Sequence, residues 1–214
     1  MKRIIFWIIF LLVLVLIIWG LFVAMQKGSR NGVPNLGAPA PVTAADHTEG
    51  PADAPVTLIE YGDFECPACG EYAPMVERLF QQSSTTMRLV FRHFPLPQHL
   101  NAPIAAQASE AASDQGRFWD MYKLLYAGQD SWANLSVSDA AKVFDGYARS
   151  LGLDIAQFDT DINSTTTKAF IQSELSEGQQ LGIDYTPTFF VNGKIIQNPQ
   201  SYDSFKSIID SAAK

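Results

Sequence analysis

The segment DFECPACG, residues 63–70, contains both cysteines of this 214-residue chain, Cys66 and Cys69. One proline and one alanine separate them, so a disulfide between them closes a loop too short to restrain the unfolded chain much. A chain of this length also buries enough apolar surface to fold without disulfides. The spacing therefore disfavours a structural disulfide and leaves two interpretations, a redox pair or half of a metal site.

The residues around the cysteines predict a strand followed by a helix. The run Val56–Tyr61 is β-branched and apolar and is followed by a glycine, which is typical of a strand. Over residues 67–82 apolar side chains recur at helical spacing, and Pro74 is expected to kink this helix. Cys66 therefore falls at the helix N-terminus, with Pro67 at the first helical position.

This position favours thiol chemistry at Cys66. A cysteine attacks as the thiolate, and a helix N-terminus stabilises that charge with free N–H groups and the positive end of the helix dipole. Cys69 lies one turn later, is expected to be more buried, and would be the resolving thiol. The carboxylates of Asp63 and Glu65 raise the pKa of a nearby thiol, so we expect no extreme pKa at Cys66.

Zinc is the alternative that the spacing leaves open, because zinc sites also use two cysteines two residues apart. Such a site normally needs four ligands, and the chain has no second CxxC motif. His93 and His99 would have to complete it. We expect His93 on a strand and His99 in the loop after it, each satisfied by hydrogen bonds or solvent. The sequence therefore predicts no metal and no organic cofactor.

The balance of charge argues against a nucleic-acid partner. The chain has 22 Asp and Glu residues against 15 Lys and Arg residues. Apart from the extreme N-terminus it has no basic cluster that could bind a phosphate backbone.

The N-terminal segment predicts a single transmembrane helix. Residues 4–25 carry no charge, and a helix of about 22 residues spans the hydrocarbon core of a bilayer. A cleavable signal peptide has a shorter apolar region, and the nearest candidate cleavage site here places the bulky Phe22 where a small residue is wanted. We therefore expect an uncleaved membrane anchor over residues 1–25. Basic residues flank the span on both sides, so charge alone does not set its orientation.

The rest of the chain predicts a tether and one domain. Residues 26–53 are rich in proline, glycine and small polar residues, which is typical of a flexible tether. Residues 54–214 show no internal repeat and no second linker, which favours a single domain.

The predicted element order within that domain is strand, helix, strand, a helical block, a hairpin and a helix. Residues 87–94 predict the second strand, and the helical block covers about 99–182. A β-hairpin is predicted around Asn192-Gly193, followed by a last helix over about 201–212. This order indicates an α/β fold with a mixed sheet and a helical insertion. Within the insertion an aromatic stripe at helical spacing is expected to serve packing: Phe118, Trp119, Tyr122, Leu125 and Tyr126.

With its cysteines at a helix start after a strand, the domain over 54–214 resembles the thioredoxin superfamily, and specifically the DsbA-like disulfide oxidoreductases. Five features carry the resemblance: the CPAC form of the motif, Pro74 in the active-site helix, the helical insertion, and the segments FRHFPLP at 91–97 and TPTFFVNG at 186–193.

The resemblance implies roles for further residues. Thr186-Pro187 matches a cis-proline in a loop that lies beside the CxxC motif and binds the substrate, and Pro67 and Ala68 would contact the substrate between the cysteines. Glu60 matches a buried acid that exchanges a proton with the resolving cysteine, and burial would raise its pKa toward neutrality. An ordinary trans proline and a solvated glutamate are the alternatives.

The function that the resemblance implies is an extracytoplasmic thiol:disulfide oxidoreductase, held on the membrane by its N-terminal helix. Its redox group would be the Cys66–Cys69 disulfide, its substrates cysteine-containing exported proteins, and its partner a membrane or soluble protein that resets the disulfide. Alanine stands where the best-known oxidases have histidine after the proline, which weakens the expectation of strong oxidising power. A reductase or isomerase is the alternative within this class. A peptide-binding or zinc-binding module without enzyme activity is the alternative from another class.

Overall fold

The structure is a computed structural model, and the residues that it describes are 36–214 together with Trp7, Leu12, 14–17 and Trp19. The chain divides into two compact units, residues 1–34 and residues 35–214. The predicted membrane anchor over residues 1–25 lies largely outside the described residues. Across the described parts of the chain, no helix combines the length and the apolar composition needed to cross a membrane.

A five-stranded sheet forms the centre of the second unit. Its strands are β1 (His47–Glu49), β2 (Val56–Gly62), β3 (Met87–His93), β4 (Thr188–Val191) and β5 (Lys194–Ile195). The spatial order is β1-β3-β2-β4-β5, in which β2 and β3 are parallel and the other neighbouring pairs are antiparallel. The predicted α/β class with a mixed sheet is therefore confirmed. Because β2 is the central strand, residues in its middle lie far from solvent.

Eight helices lie within residues 36–214. They are α1 (Pro67–Ser83), α2 (Ala102–Ser113), α3 (Phe118–Ala127), α4 (Gln129–Trp132), α5 (Val137–Ser150), α6 (Ile155–Asp161), α7 (Thr165–Leu181) and α8 (Tyr202–Ala212). α1 connects β2 to β3, and α8 follows the hairpin. The helices α2 to α7 form one insertion between β3 and β4, as the sequence predicts.

Apolar side chains of β2 are buried on both faces of the sheet. On one face Val56 and Leu58 pack with Leu79 of α1. On the other face Ile59 packs with Phe190 of β4. This two-sided burial explains why β2 is a nearly continuous apolar run instead of an alternating one.

The helical insertion has its own apolar core, which continues to the cysteines. Four members of the predicted aromatic stripe are buried in it and Trp119 is partly buried, so the packing role is confirmed. Pro74 lies inside α1, which continues beyond it.

The β4–β5 hairpin turns at Asn192 and Gly193 as predicted. Both residues have positive φ, 48° and 76°, which this two-residue turn requires. The Asn192 side chain also accepts a hydrogen bond from the Thr57 N–H at 2.8 Å, which fastens the turn to β2.

The folded domain begins earlier than the predicted boundary at residue 54. β1 pairs with β3, with His47 opposite Phe91, and Leu36 and Val42 pack against buried residues of the sheet. Residues 36–53 therefore belong to the domain and not to a flexible tether. A three-residue edge strand among prolines and small residues has too little periodicity for the sequence to reveal it.

Arg92 of β3 fastens this N-terminal segment to the sheet. Its buried guanidinium donates to Asp46 at 2.7 Å and to the Ala40 carbonyl oxygen at 3.1 Å. It also donates to Glu177 of α7 at 2.9 Å and to the Tyr61 hydroxyl at 3.0 Å. Burial raises the pKa of Asp46, but the hydrogen bonds from Arg92 and Thr43, together with the charge of Arg92, outweigh burial, so the pKa is lowered.

We expect Asp46→Asn to lower the free energy of unfolding by about 2 kcal/mol, because it leaves buried Arg92 without one charged partner. Urea unfolding near pH 7 measures this loss. Since the pKa of Asp46 is lower in the folded than in the unfolded chain, its contribution is complete above about pH 4 to 5 and disappears as the pH falls through the folded pKa.

The matched control is Asp53→Asn, which removes the same charge from an exposed turn. Its free energy of unfolding should change by less than about 0.5 kcal/mol. Equal losses in the two variants would show that Arg92 does not fasten this segment through Asp46.

Candidate active site

Cys66 is the N-cap residue of α1 and Pro67 follows at the start of the helix, as the sequence predicts. The Cys66 N–H donates to the Asp63 carbonyl oxygen at 3.1 Å, which closes the turn between β2 and α1. Proline removes no helical hydrogen bond at this position, because the first helical N–H has no partner within the helix. Pro67 is exposed and Ala68 half-buried, so both residues between the cysteines reach the surface.

Cys66 is the acidic thiol of the pair. The hydrogen bond from Cys69 is the largest cause that lowers the pKa of Cys66 to about 5, with burial opposing it and the backbone N–H groups of Ala68 and Cys69 acting with it. A thiol with this pKa is almost entirely thiolate at pH 7. The shift is larger than the sequence predicts.

The carboxylates of Asp63 and Glu65, which the sequence expects to oppose a Cys66 thiolate, are held by the loop after β3. Asp63 Oδ2 accepts from the Leu96 N–H at 2.8 Å and lies 2.7 Å from His99 Nδ1. Glu65 accepts from the Asn101 N–H. These donors compensate the carboxylate charges, so the expected opposition to a Cys66 thiolate is weak.

Cys69 is the opposite of Cys66 in its surroundings. Its side chain is fully buried, and burial, followed by its hydrogen bond to Cys66 and the charge of Glu60, raises its pKa well above the ordinary value. Cys69 is therefore a neutral thiol at pH 7. The two thiols of one motif are both buried, Cys66 at 7% exposed and Cys69 at 0%, but they differ strongly in acidity, as expected for a nucleophile and a resolving group.

Glu60 lies in the middle of β2, between Phe91 of β3 and Phe189 of β4, and its residue is 1% exposed. Burial raises its pKa to about 8. Its Oε2 accepts from the Tyr122 hydroxyl at 3.3 Å, while Oε1 has no hydrogen-bond partner among the described residues. The charge of Glu60 also raises the pKa of Cys69, so the two groups interact electrostatically.

The Thr186–Pro187 peptide bond is cis, as the resemblance implies. It immediately precedes β4, and Cys66 Sγ lies 3.4 Å from the Thr186 carbonyl oxygen. The structure therefore places Thr186, Cys66, Cys69 and Glu60 in one site.

Gln129 is a site residue that the sequence does not reveal. From α4 of the insertion, its Nε2 donates to the carbonyl oxygens of Phe64 and Cys66, at 2.7 and 3.0 Å. A Cβ at Gly70 would lie 2.6 Å from Gln129 Oε1, so a glycine leaves room for this contact. Gln129 fixes the turn before α1. A single glutamine 63 residues from its partner has no sequence signature.

A metal ion could be held by His47, His93 and Glu110, whose ligand atoms lie within 4.8 Å of one another. The Nε2 atoms of both histidines already contact Glu110 Oε1, at 2.5 and 2.6 Å. Within the described part of the chain, no group suited to a metal includes a cysteine. The cysteine and histidine set considered from the sequence is thus not assembled, since His93 contacts Glu110 and His99 contacts Asp63.

A family model described as Thioredoxin matches residues 43–211. The chain belongs to the thioredoxin family. The solved structure of BdbD from Bacillus subtilis (oxidised) is 25% identical, with a TM-score of 0.70, and the match covers 83% of this chain and 97% of that one. Wolbachia pipientis alpha-DsbA1 is 24% identical and shares the fold, with a TM-score of 0.70, covering 80% of this chain and 92% of its own.

The curated relatives are longer proteins. One from Salinispora tropica, named Na(+)/H(+) antiporter NhaA 3, is 37% identical over 186 residues, which is 86% of this chain and 27% of the relative. One from Herminiimonas arsenicoxydans, named Na(+)/H(+) antiporter NhaA, is 37% identical over 74% of this chain and 24% of its own length. This thioredoxin-family chain thus spans about a quarter of the relatives' length, and the name antiporter belongs to those longer proteins.

The predicted thioredoxin fold is confirmed, and this fold is the one found in DsbA-like proteins.

We expect Cys69→Ala to raise the pKa of Cys66 more than Cys69→Ser does, because serine keeps a hydroxyl donor where alanine has none. The absorbance of the thiolate near 240 nm, followed against pH in the reduced protein, measures this. The wild-type midpoint should lie near pH 5 and the alanine midpoint closer to the ordinary thiol value of about 8.5. Identical midpoints in all three proteins would show that the bond from Cys69 does not stabilise the thiolate.

Proposed function

We propose that this thioredoxin-family protein is an oxidase that forms disulfides in cysteine-containing exported proteins, with Cys66 and Cys69 as the redox pair. The contrast between the two thiols supports this direction. A pKa of about 5 at Cys66 stabilises the reduced protein as the thiolate. Stabilising the dithiol state makes the disulfide easier to reduce, and hence more oxidising toward its substrate.

In the proposed reaction a substrate thiolate attacks Cys66 Sγ of the Cys66–Cys69 disulfide. The bond between the two cysteine sulfurs breaks, and a mixed disulfide joins the substrate to Cys66. A second substrate thiolate then attacks the substrate sulfur of this mixed disulfide. Cys66 leaves as its stable thiolate, the substrate gains a disulfide, and two electrons remain on the cysteine pair.

Glu60 is proposed to supply the proton that Cys69 needs in the first step. With a pKa of about 8, Glu60 is mostly protonated at pH 7 and can donate. Cys69, whose pKa is raised by burial, is a strong acceptor for that proton. In the reverse step the carboxylate takes the proton back.

The substrate chain is proposed to bind beside Cys66, along the loop of Thr186 and Pro187. The 3.4 Å contact between Cys66 Sγ and the Thr186 carbonyl oxygen supports this placement. Pro67 and Ala68 reach the surface next to the nucleophile and are proposed to contact the substrate on the other side.

We further propose that the domain works outside the cytoplasm, anchored by the apolar segment over residues 4–25. The absence of charge in that segment supports an anchor. Each turnover leaves the protein reduced, so a membrane or soluble redox partner has to withdraw two electrons and restore the disulfide.

A reductase is the second candidate, because the same residues work in the opposite direction. The CPAC motif favours it to some degree, since alanine offers no cation beside the thiolate. The proposed oxidase direction rests on the acidity of Cys66, to which the hydrogen bond from Cys69 contributes most.

The test is the refolding of reduced, unfolded ribonuclease by the oxidised protein in stoichiometric amounts. We expect wild type to restore ribonuclease activity and Cys66→Ser to be inactive. Cys69→Ala is first prepared with Cys66 in a mixed disulfide. A substrate thiolate should then displace the group bound to Cys66 and form a disulfide-linked adduct, which a reductant releases. If wild type fails here, yet in its reduced form cleaves insulin disulfides rapidly, the protein is a reductase.

A further inference from the structure

Glu60 is enclosed on both sides within the sheet. Its neighbours on the adjacent strands, Phe91 of β3 and Phe189 of β4, are both fully buried and have no titratable group. A proton that passes between Glu60 and water therefore cannot cross the neighbouring strands through polar groups.

The titratable groups that face Glu60 come from two helices. Cys66 caps α1 and Cys69 lies on it, and Tyr122 and Tyr126 lie on α3. Among these, Tyr122 makes the hydrogen bond to Glu60, from its hydroxyl to Oε2 at 3.3 Å. Burial raises the pKa of Tyr122 well above the ordinary value, so it stays a neutral donor.

Tyr126 gives an internal comparison one turn further along α3. It is buried beside Tyr122, with ring centroids 4.8 Å apart. Its hydroxyl has no hydrogen-bond partner among the described residues. The two tyrosines thus lie on one face of the same helix and are both buried, but only the Tyr122 hydroxyl donates a hydrogen bond to Glu60.

A cleft between α1 and α3 reaches Tyr122 from the outside. Its volume is about 190 Å³, and its lining includes Gly70, both tyrosines Tyr122 and Tyr126, and the pair Glu77 and Lys123. Glu77 and Lys123 are partly exposed and lie 3.7 Å apart, so the cleft has a charged mouth open to water. Tyr122 therefore lies between the buried acid and solvent.

We propose that Tyr122 is a positioning residue for the redox step: its hydroxyl fixes Glu60 by Oε2, leaves Oε1 free for the Cys69 proton, and connects the acid to water in the cleft. This inference rests on the proposed role of Glu60. It assigns to a tyrosine of the helical insertion a role that the packing interpretation of the aromatic stripe does not include.

The chromogenic disulfide dithiobis(nitrobenzoate) distinguishes the reactions of the two cysteines in one experiment on the reduced full-length protein. First, the Cys66 thiolate attacks the reagent disulfide, forms a mixed disulfide and releases one coloured thiolate. Then Cys69 gives its proton to Glu60 and its sulfur attacks Cys66 Sγ. The mixed disulfide breaks, the second coloured thiolate leaves, and the Cys66–Cys69 disulfide remains. Stopped-flow absorbance resolves the two phases.

We expect Tyr122→Phe to leave the first phase unchanged and to slow the second about five- to tenfold at pH 7. Without the hydroxyl, the Glu60 carboxylate is less stable, and a rise of one unit in its pKa leaves about tenfold fewer carboxylates ready to accept a proton. The difference should narrow as the pH rises and close above about pH 10, where Glu60 ionises without help. Tyr126→Phe, the matched control, should leave both phases at wild-type rates.

Glu60→Gln separates failure of this inference from failure of the proposed function. If Glu60→Gln slows the second phase and Tyr122→Phe does not, Tyr122 has no positioning role while the proposed role of Glu60 stands. If neither variant slows it, the proposed role of Glu60 is itself wrong. If Tyr122→Phe and Tyr126→Phe slow the second phase equally, or if the slowing does not change with pH, Tyr122 serves packing only.

Discussion

The stabilised thiolate of Cys66 at the N-terminus of α1 is the interaction on which the rest of the site depends. It requires that a buried strand, β2, ends close to the start of a helix, so that the N–H groups of Ala68 and Cys69 point at the sulfur. Residues of the intervening turn serve this requirement. Asp63 closes the turn with its carbonyl oxygen, and Gln129 holds it from outside through two carbonyl oxygens.

The helical insertion is part of the site and not only a cover for the sheet. α4 supplies Gln129 to the turn, and α3 supplies Tyr122 to the buried acid. Both contacts join the insertion to β2 or to the residues just after it. A rearrangement of the insertion would therefore change the surroundings of Cys66 and Glu60 together.

The sequence predicts the parts of this protein that have local signatures. Proline after Cys66, helical spacing over α1 and the Asn192-Gly193 turn place the elements around the cysteines within one or two residues. The cis bond before Pro187 and the position of Glu60 came from resemblance, because a single X-Pro or a single acid in a strand predicts little by itself.

The rest could not be predicted, because it depends on contacts between distant parts of the chain. Arg92 is an ordinary residue of a predicted strand until the fold brings Asp46 and Glu177 to it, and without those partners the segment before residue 54 has the composition of a tether. The donors that hold the carboxylates of Asp63 and Glu65 likewise come from the loop after β3, and neither carboxylate is among the causes that set the pKa of Cys66.

The reduction potential of the Cys66–Cys69 pair, from equilibration of the full-length protein with glutathione buffers, tests the central claim most directly. At pH 7 a thiol pKa near 5, compared with about 8.5, favours the reduced state by about 2.7 kcal/mol, or about 60 mV. This contribution makes the disulfide more oxidising, and we expect a potential between about −120 and −180 mV, in the range of disulfide donors. A potential near about −270 mV would contradict the account and indicate a reductase.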